Sequence, residues 1–444
     1  MRWSPRGGLR WLVPGMRVKR WLLLSFVSMG AITVSFLYAL GVEVLRVLYR
    51  AFPLARPVRY GLMGSLFALG VALFVFSILR LVRSVVRAVV PDAREKTSAL
   101  VYRTRVLEKA PRVVAIGGGT GLSTLLRGLK RITANLTAVV AVMDDGGSSG
   151  RLRDEIDVLP PGDVRNCLLA LAEDESRFAD FFQHRFTAPG ELAGHSLGNL
   201  VLAGLEQKTG SFDAAVEAMS HFLNVQGRVL PATLAKTRLV ARMADGETLE
   251  GEARIGVDPR RIERLWLHPA PAPAYDRVLD ALRDAHLILL GPGSLFTSLI
   301  PNLLVDGIAE ALERSSAEKV LMANLMTQPG ETTGLTLLDH LRVLNGYVNV
   351  STFDLLLVNS ARPVESLLHG YRSESAEPVR DDVDETHPYG LVVVREDLVG
   401  IAAWDGKTTI KHDPDKVAKA IVRHTQTFSR RISGEEVSSS PLNP

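Results

Sequence analysis

The chain begins with two long uncharged segments and continues with many short apolar runs. Residues 21–42 contain no charged side chain, and neither do residues 60–79. As helices rising about 1.5 Å per residue, both would span roughly 30 Å, the thickness of the hydrocarbon core of a membrane. We therefore predict two transmembrane helices, which make residues 1–112 a membrane hairpin with basic flanks. The alternatives are buried core helices and, for the first segment, a cleaved signal peptide.

After residue 112 the apolar runs are short and continuous instead of alternating with polar residues. Continuous runs are typical of parallel strands that are covered on both faces. Stretches with helical spacing, such as residues 122–130, 212–223 and 274–285, fall between them. This pattern predicts an α/β domain over residues 113–432, with a Rossmann-like, doubly wound and mostly parallel sheet. The predicted buried strands are residues 113–116, 138–143, 287–290, 320–323 and 355–358.

The end of the chain departs from this alternation. Two β-rich runs within residues 389–411 flank Asp405-Gly406, a dipeptide that predicts a hairpin turn. Residues 433–444 are polar and are predicted to form a disordered tail.

Charge is distributed unevenly along the 444 residues. Residues 1–112 hold 19 of the 52 Lys and Arg and 4 of the 48 Asp and Glu, a net charge of +15. The remaining residues have a net charge of −11. The pI of about 9.2 therefore reflects the N-terminal segment. We expect no nucleic-acid partner, because the main domain has no excess of basic residues.

The basic residues that flank the two apolar segments predict the orientation of the hairpin. Six Lys and Arg precede the first segment and nine lie between the second segment and residue 112, whereas the connecting loop has four. Because cytoplasmic flanks carry the excess of positive charge, we expect both ends and the α/β domain in the cytoplasm. The expected location is the inner (cytoplasmic) membrane, with two crossings.

Composition excludes several other classes of protein. Hydrophobic residues make up 47% of the chain and charged residues 23%, which is typical of a folded core and excludes a globally disordered chain. Cys167 is the single cysteine, so neither an intramolecular disulfide nor a multi-cysteine zinc site can form.

A glycine-rich loop follows the first predicted strand and precedes a predicted helix. Glycines allow an anion to approach the backbone closely, and the helix N-terminus adds a positive dipole. The loop is neither a strict dinucleotide-binding fingerprint nor a P-loop. It predicts contact with a nucleotide or phosphate, and a plain tight turn is the alternative. Its candidate ligand-binding residues are Gly117, Gly118, Gly119, Thr120 and Gly121.

Two adjacent carboxylates, Asp144 and Asp145, follow the second predicted strand. An acid at this distance from a glycine loop binds a ribose hydroxyl in dinucleotide folds. Two carboxylates could instead hold Mg²⁺, so both residues are candidate metal ligands and candidate catalytic groups. An acidic turn is the alternative. The glycine-serine stretch that follows adds the candidate anion-binding residues Gly146, Gly147, Ser148 and Arg151.

Four further segments carry candidate site residues. Asp163 is a natural N-cap for the helix that contains Asn166, and His195 is a candidate general base or phosphate donor. Ligands bind beyond the carboxyl ends of parallel strands, so these loops are expected to converge on one crevice. The candidate ligand-binding residues in these segments are Asn166, His195, Asn199, Gly291, Gly293, Ser294, Asn324, Thr327 and Gln328.

Six segments, taken together and in this order, resemble the YvcK/CofD family. They are GGGTGLS (117–123), DDGGSSGRLR (144–153), LPPGDVRNCL (159–168), GHSLGNL (194–200), GPGSLFTS (291–298) and NLMTQPGET (324–332). The chain is most similar to the YvcK branch, the gluconeogenesis factors. This resemblance implies a Rossmann-like fold and a nucleotide-sugar ligand such as UDP-N-acetylglucosamine. It also implies a regulatory role in cell shape and envelope synthesis during growth on gluconeogenic carbon.

The CofD branch of the same family implies an alternative function. Its members are Mg²⁺-dependent transferases that move a 2-phospho-L-lactate group onto a deazaflavin in the synthesis of coenzyme F420. The resemblance then assigns metal or acceptor binding to Asp144 and Asp145. The membrane hairpin departs from the soluble members of the family, and a homo-oligomer stays open.

Overall fold

A computed structural model describes residues 19–39, 56–89, 106–187, 189–384, 386–404 and 407–432. The chain divides into two compact units, Met1–Thr104 and Arg105–Pro444. Three sequence predictions lie outside the described residues: the end of the first apolar segment (40–42), the Asp405-Gly406 turn and the tail (433–444).

The described part of the N-terminal unit is a pair of antiparallel helices, α1 (Lys19–Ala39) and α2 (Arg56–Val89). Polar atoms meet between them, since the hydroxyl oxygens of Ser25 and Ser77 lie 2.6 Å apart. Large apolar side chains point outward, and Phe26 is 77% exposed. Tyr60–Leu81 is long and apolar enough to cross a membrane, whereas the apolar stretch Trp21–Leu37 is shorter. The prediction of two membrane crossings therefore stays a prediction.

The second unit is built on a parallel sheet of seven strands, in the order β10-β9-β8-β7-β1-β2-β3. This arrangement confirms the predicted α/β class. The strands of the described residues are β1 (Val113–Gly117), β2 (Leu136–Val140), β3 (Arg228–Pro231), β4 (Arg238–Met243), β5 (Thr248–Glu250), β6 (Ile262–His268), β7 (Leu287–Leu290), β8 (Glu318–Met322), β9 (Leu355–Asn359), β10 (Val392–Glu396), β11 (Val399–Trp404) and β12 (Lys407–His412).

Helices cover the two faces of the sheet, and the central strands β1, β2 and β7 are buried along their whole length. The helices of this unit are α3 (Gly119–Leu129), α4 (Gly147–Ile156), α5 (Gly162–Leu171), α6 (Glu175–Gln183), α7 (Leu197–Thr209), α8 (Phe212–Phe222), α9 (Glu252–Ile255), α10 (Asp276–Asp284), α11 (Ile300–Leu303), α12 (Ile308–Arg314), α13 (Leu337–Asn345), α14 (Glu365–Ser373), α15 (Pro414–His424) and α16 (Gln426–Ile432). A π-helical turn, Leu295–Leu299, follows β7.

Two smaller β-structures stand beside the main sheet. Strands β5, β4 and β6 form an antiparallel sheet that the sequence pattern did not reveal. In β6 buried and exposed residues are mixed, so this strand lacks the continuous apolar run of a central strand. Strands β11 and β12 pair antiparallel, as the predicted hairpin requires, with Trp404 opposite Lys407.

The structure moves the boundaries of four of the five predicted strands, and two of these, β1 and β9, each end one residue later than predicted. The strand predicted over residues 138–143 spans Leu136–Val140. Residues 141–143 are buried, as their apolar side chains predict, but they lie after the end of the strand. The strand predicted over 320–323 spans Glu318–Met322. The strand predicted over 287–290 has the predicted ends.

We predict that Gly128→Ala destabilises the fold. Gly128 lies in α3 where a Cβ atom would meet the carbonyl oxygen of Pro414 at 2.2 Å, so α15 would have to move away. Such overpacking costs about 1–3 kcal/mol and lowers the thermal midpoint.

The matched control is Gly204→Ala in helix α7. A Cβ atom at Gly204 meets nothing within 4 Å, so this variant gains helix propensity and keeps or raises the midpoint. Equal midpoints for the two variants in thermal denaturation would contradict the tight contact between α3 and α15.

Candidate functional site

A crevice of about 400 Å³ lies beyond the carboxyl ends of the central strands. Strand β1 has β2 as its neighbour on one side and β7 on the other, and the chain passes from β1 to β2. The loops after β1 and β7 therefore diverge, which opens a ligand crevice at the switch point of a doubly wound sheet. Nine of the predicted ligand-binding residues line this crevice: Gly118, Gly119, Thr120, Gly121, Asp144, Gly293, Ser294, Asn324 and Gln328.

The glycine-rich loop lets α3 begin at the crevice. Gly119 adopts a φ of +60°, a left-handed conformation that favours glycine. A Cβ atom at Gly121 would lie 2.4 Å from the carbonyl oxygen of Pro292, so the loops after β1 and β7 touch through backbone. N–H groups in the first turn of a helix have no intrahelical acceptor. Thr120 and Gly121 belong to this turn and line the crevice.

Asp163 holds this loop in place, a role that differs from the predicted N-cap. Helix α5 begins at Gly162, so Asp163 lies inside its first turn. Its buried Oδ2 accepts a hydrogen bond of 2.5 Å from the backbone N–H of Gly119. Burial, and then the neighbouring carboxylate of Asp144, raise the pKa of Asp163 to about 6.

The two adjacent carboxylates separate from one another. Asp144 lines the crevice, its Oδ1 accepts the N–H of Gly146 at 2.8 Å, and burial raises its pKa. Asp145 instead accepts the N–H of Ala253 at 2.8 Å and lies 3.6 Å from the guanidinium of Arg238.

These positions do not fit the predicted Mg²⁺ site, in which Asp144 and Asp145 would share one ion. Within the described ranges, no group of three or more His, Cys, Asp and Glu side chains is arranged to hold a metal ion. We therefore derive no chemical step through a metal at this pair.

Two carboxylates that were not among the candidate site residues lie at the crevice or beside it, Glu252 in its lining and Glu331 against the lining residue Thr297. Helix α9 brings Glu252 to the crevice, where burial, and then the charge of Asp144, raise its pKa to about 8. Glu331 accepts a hydrogen bond of 2.9 Å from Oγ1 of Thr297, and burial raises its pKa to about 7. Glu252 lies outside every glycine-rich segment, so the sequence held no local signal for it.

The loops after β7 and β8 are joined by the amides predicted to bind ligand. Asn324 donates from Nδ2 to the carbonyl oxygen of Gly293 at 2.9 Å, and Gln328 donates from Nε2 to the hydroxyl of Ser294 at 2.7 Å. Thr327 points elsewhere, because its backbone N–H and its hydroxyl both bond to the carbonyl oxygen of Glu377.

A second group of predicted residues forms a polar network that does not line the crevice. His195 is 1% exposed, and its Nδ1 lies 3.1 Å from the hydroxyl of Ser148. Asn199 donates to Ser148 at 3.1 Å and accepts from the guanidinium of Arg165 at 2.7 Å. Arg165 also donates to Asn166 at 2.8 Å. This network joins α4, α5 and α7 behind Asp144.

The remaining predicted residues shape the backbone. Arg151 donates to the carbonyl oxygen of Ala193 at 2.7 Å and therefore holds the loop before His195. Four glycines stand at element ends without lining the crevice. They are Gly117 at the end of β1, Gly146 and Gly147 at the start of α4, and Gly291 after β7.

Strand β12 supplies a wall that the sequence did not predict. Ile410, Lys411 and His412 line the crevice, and Lys411 is the one Lys or Arg among its lining residues in the described part of the chain. The β-pattern of this segment was visible in the sequence. Its approach to loops more than 80 residues away was not.

Taken together, the strand order, the glycine loop at a helix N-terminus and the crevice define a Rossmann-like α/β protein with a crevice at the switch point of its sheet. The family model described as 2-phospho-L-lactate transferase CofD matches residues 113–399, and the chain belongs to this family.

Two relatives and one solved structure are similar to this chain. The "Gluconeogenesis factor" of Bacillus subtilis is 46% identical over 312 residues, which cover 70% of this chain and 97% of that protein. A Nostoc sp. protein whose name contains gluconeogenesis factor is 42% identical over 424 residues, 93% of this chain and 92% of its own. A crystal structure of protein BH3568 from Bacillus halodurans is 44% identical, with a TM-score of 0.67, and covers 71% of this chain and 100% of its own.

We predict that Glu252→Gln stabilises the protein at alkaline pH. In the folded chain Glu252 keeps its proton up to about pH 8, whereas its ordinary pKa is 4.5. Between these values the folded state binds more protons, so stability falls as pH rises from about 4.5 to about 8.

The glutamine variant does not titrate, so its thermal midpoint should match that of the wild type near pH 4.5 and exceed it by a few degrees near pH 8. Midpoints measured by calorimetry across this range give the comparison. Parallel curves for the two proteins would show that Glu252 is not held protonated.

Proposed function

We propose that this protein binds a nucleotide-sugar, with UDP-sugars such as UDP-N-acetylglucosamine as the ligand class, and acts as a regulator. In this role it supports cell shape and envelope synthesis during growth on gluconeogenic carbon. The observation that carries the proposal is the switch-point crevice, where the first turn of α3 meets the loops after β7 and β8. Relatives named gluconeogenesis factor support the same role.

Backbone amides are the main anion-binding groups of the crevice. The free N–H groups of Thr120 and Gly121 and the dipole of α3 would receive a diphosphate. Lys411 also lines the crevice and is the positive charge that we propose for the phosphates. At neutral pH Glu252 keeps its proton, because its pKa is about 8, so it can donate a hydrogen bond to an oxygen instead of repelling it.

We predict that Lys411→Gln weakens UDP-N-acetylglucosamine binding by about 10-fold or more. A hydrogen bond to a charged group contributes about 1.5–3 kcal/mol, and each 1.4 kcal/mol is a factor of ten in affinity. Calorimetric titration of the full chain in detergent measures the change.

Lys419→Gln is the matched control, because Lys419 is exposed on α15 and does not line the crevice. It should bind as the wild type does, and uridine should bind both variants equally. A folded wild-type protein that binds no UDP-sugar would contradict the proposed function.

The transferase alternative has one specific observation in its favour, the match of residues 113–399 to the family model described as 2-phospho-L-lactate transferase CofD. A transferase would break the phosphoanhydride bond of a lactyl guanosine diphosphate, transfer the phospholactyl group to a hydroxyl of the deazaflavin acceptor and release GMP. Product formation by the full chain with Mg²⁺ present would replace the purely regulatory role by the transferase activity.

We further propose that the N-terminal unit crosses the cytoplasmic membrane twice and leaves the α/β unit in the cytoplasm. Support comes from the antiparallel pair α1 and α2, whose polar serines face each other while large apolar side chains face outward. The match to the Nostoc relative covers 93% of the chain and thus extends beyond Arg105–Pro444 into this unit.

A reporter fusion tests the proposed topology. A reporter inserted between residues 43 and 59 should report a location outside the cytoplasm, because this loop carries fewer basic residues than either flank. The same reporter fused after Pro444 should report the cytoplasm. A cytoplasmic signal from the loop would contradict the two crossings.

A further inference from the structure

One ring nitrogen at the crevice has no hydrogen-bond partner. His412 lines the crevice and is 8% exposed, yet its Nε2 is buried and contacts no donor or acceptor among the described residues. Buried polar atoms are nearly always bonded, because an unpaired one carries its full desolvation cost. The structure therefore leaves this nitrogen in need of a partner.

The other nitrogen of the ring fixes what that partner must be. His412 forms a hydrogen bond with the backbone of Ala323, and burial lowers the pKa of the imidazole to about 4. The ring is therefore neutral at physiological pH, with its proton on the nitrogen that faces Ala323. Nε2 is then an acceptor, and only a donor can satisfy it.

The surroundings of this acceptor are apolar. His412 and Ile410 are two positions apart on β12 and share its buried face. Ile410 packs in a cluster with Leu325 and Met326, and all three line the crevice. An apolar wall with one placed polar atom is typical of a site that orients a ring.

We propose that Nε2 of His412 accepts a hydrogen bond from the part of the ligand that carries no phosphate, and thereby selects the ligand. The inference rests on the proposed binding of a nucleotide-sugar. The donor is an N–H or O–H group on the base, the ribose or the attached sugar. His412 is then the specificity-determining residue of the apolar wall, while the glycine loop and Lys411 hold the phosphates.

Two substitutions separate the ring nitrogens. His412→Asn keeps a donor near Ala323 and removes the acceptor at Nε2, whereas His412→Gln reaches the Nε2 position with an amide oxygen. Calorimetry on the full chain in detergent compares UDP-N-acetylglucosamine, UDP, N3-methyl-UDP and 2′-deoxy-UDP. We expect His412→Asn to lower the affinity for the ligand that donates to Nε2 about 2- to 10-fold. We expect the affinity of His412→Gln to stay within 2-fold of that of the wild type.

The ligand series identifies the donor without relying on a variant. On the wild type, a loss confined to N3-methyl-UDP assigns the donor to the base, and a loss confined to 2′-deoxy-UDP assigns it to the ribose. An equal loss for the three ligands that lack the sugar, relative to UDP-N-acetylglucosamine, assigns the donor to the sugar if His412→Asn abolishes that difference.

Two outcomes overturn the inference, and they are distinguishable. If the wild type binds the ligands but folded His412→Asn binds all four with unchanged affinity, His412 accepts no hydrogen bond from the ligand. The proposed function then stands. If the wild type binds none of them, the proposed function and this inference fail together.

Discussion

The position of β1 in the sheet is the constraint on which the site depends. Because β2 lies on one side of β1 and β7 on the other, the loops that leave β1 and β7 must part at the sheet edge. The crevice opens beyond their point of contact, and the loops after β2 and β8 together with strand β12 complete its lining. Its walls stay close because Gly121 approaches Pro292 backbone to backbone and because the buried Asp163 holds the N–H of Gly119. Helix α3 can therefore begin at the crevice and present its first turn.

The proposed function requires an acidic domain to receive an anion. The lining carries three carboxyl groups and one lysine, so side-chain charge alone would repel phosphate. Burial, and then the charge of Asp144, raise the pKa of Glu252 to about 8, so this carboxyl adds no negative charge to the crevice at neutral pH. In the proposed function, amide N–H groups at the start of α3 supply the attraction that basic side chains provide elsewhere. The excess of basic residues lies in the N-terminal segment instead.

Sequence reasoning reached the fold and the loops because both are local. Continuous apolar runs reveal buried parallel strands, and glycines after β1 and β7 reveal the turns. The sequence did not predict the direction of individual side chains. Asp144 and Asp145 are adjacent, yet Asp144 lines the crevice and Asp145 accepts a hydrogen bond from the backbone of Ala253. Glu252 and His412 come from a short helix and a late strand that only the tertiary fold brings to the site. His195 carried a chemical signature, yet it lies in a buried network behind the crevice.

The most direct test of this account is a crystal structure of the protein with UDP-N-acetylglucosamine. The account predicts that the diphosphate lies against the backbone N–H groups of Thr120 and Gly121, between the loops that follow β1 and β7. A diphosphate bound away from the start of α3, for example on exposed basic side chains, would contradict it.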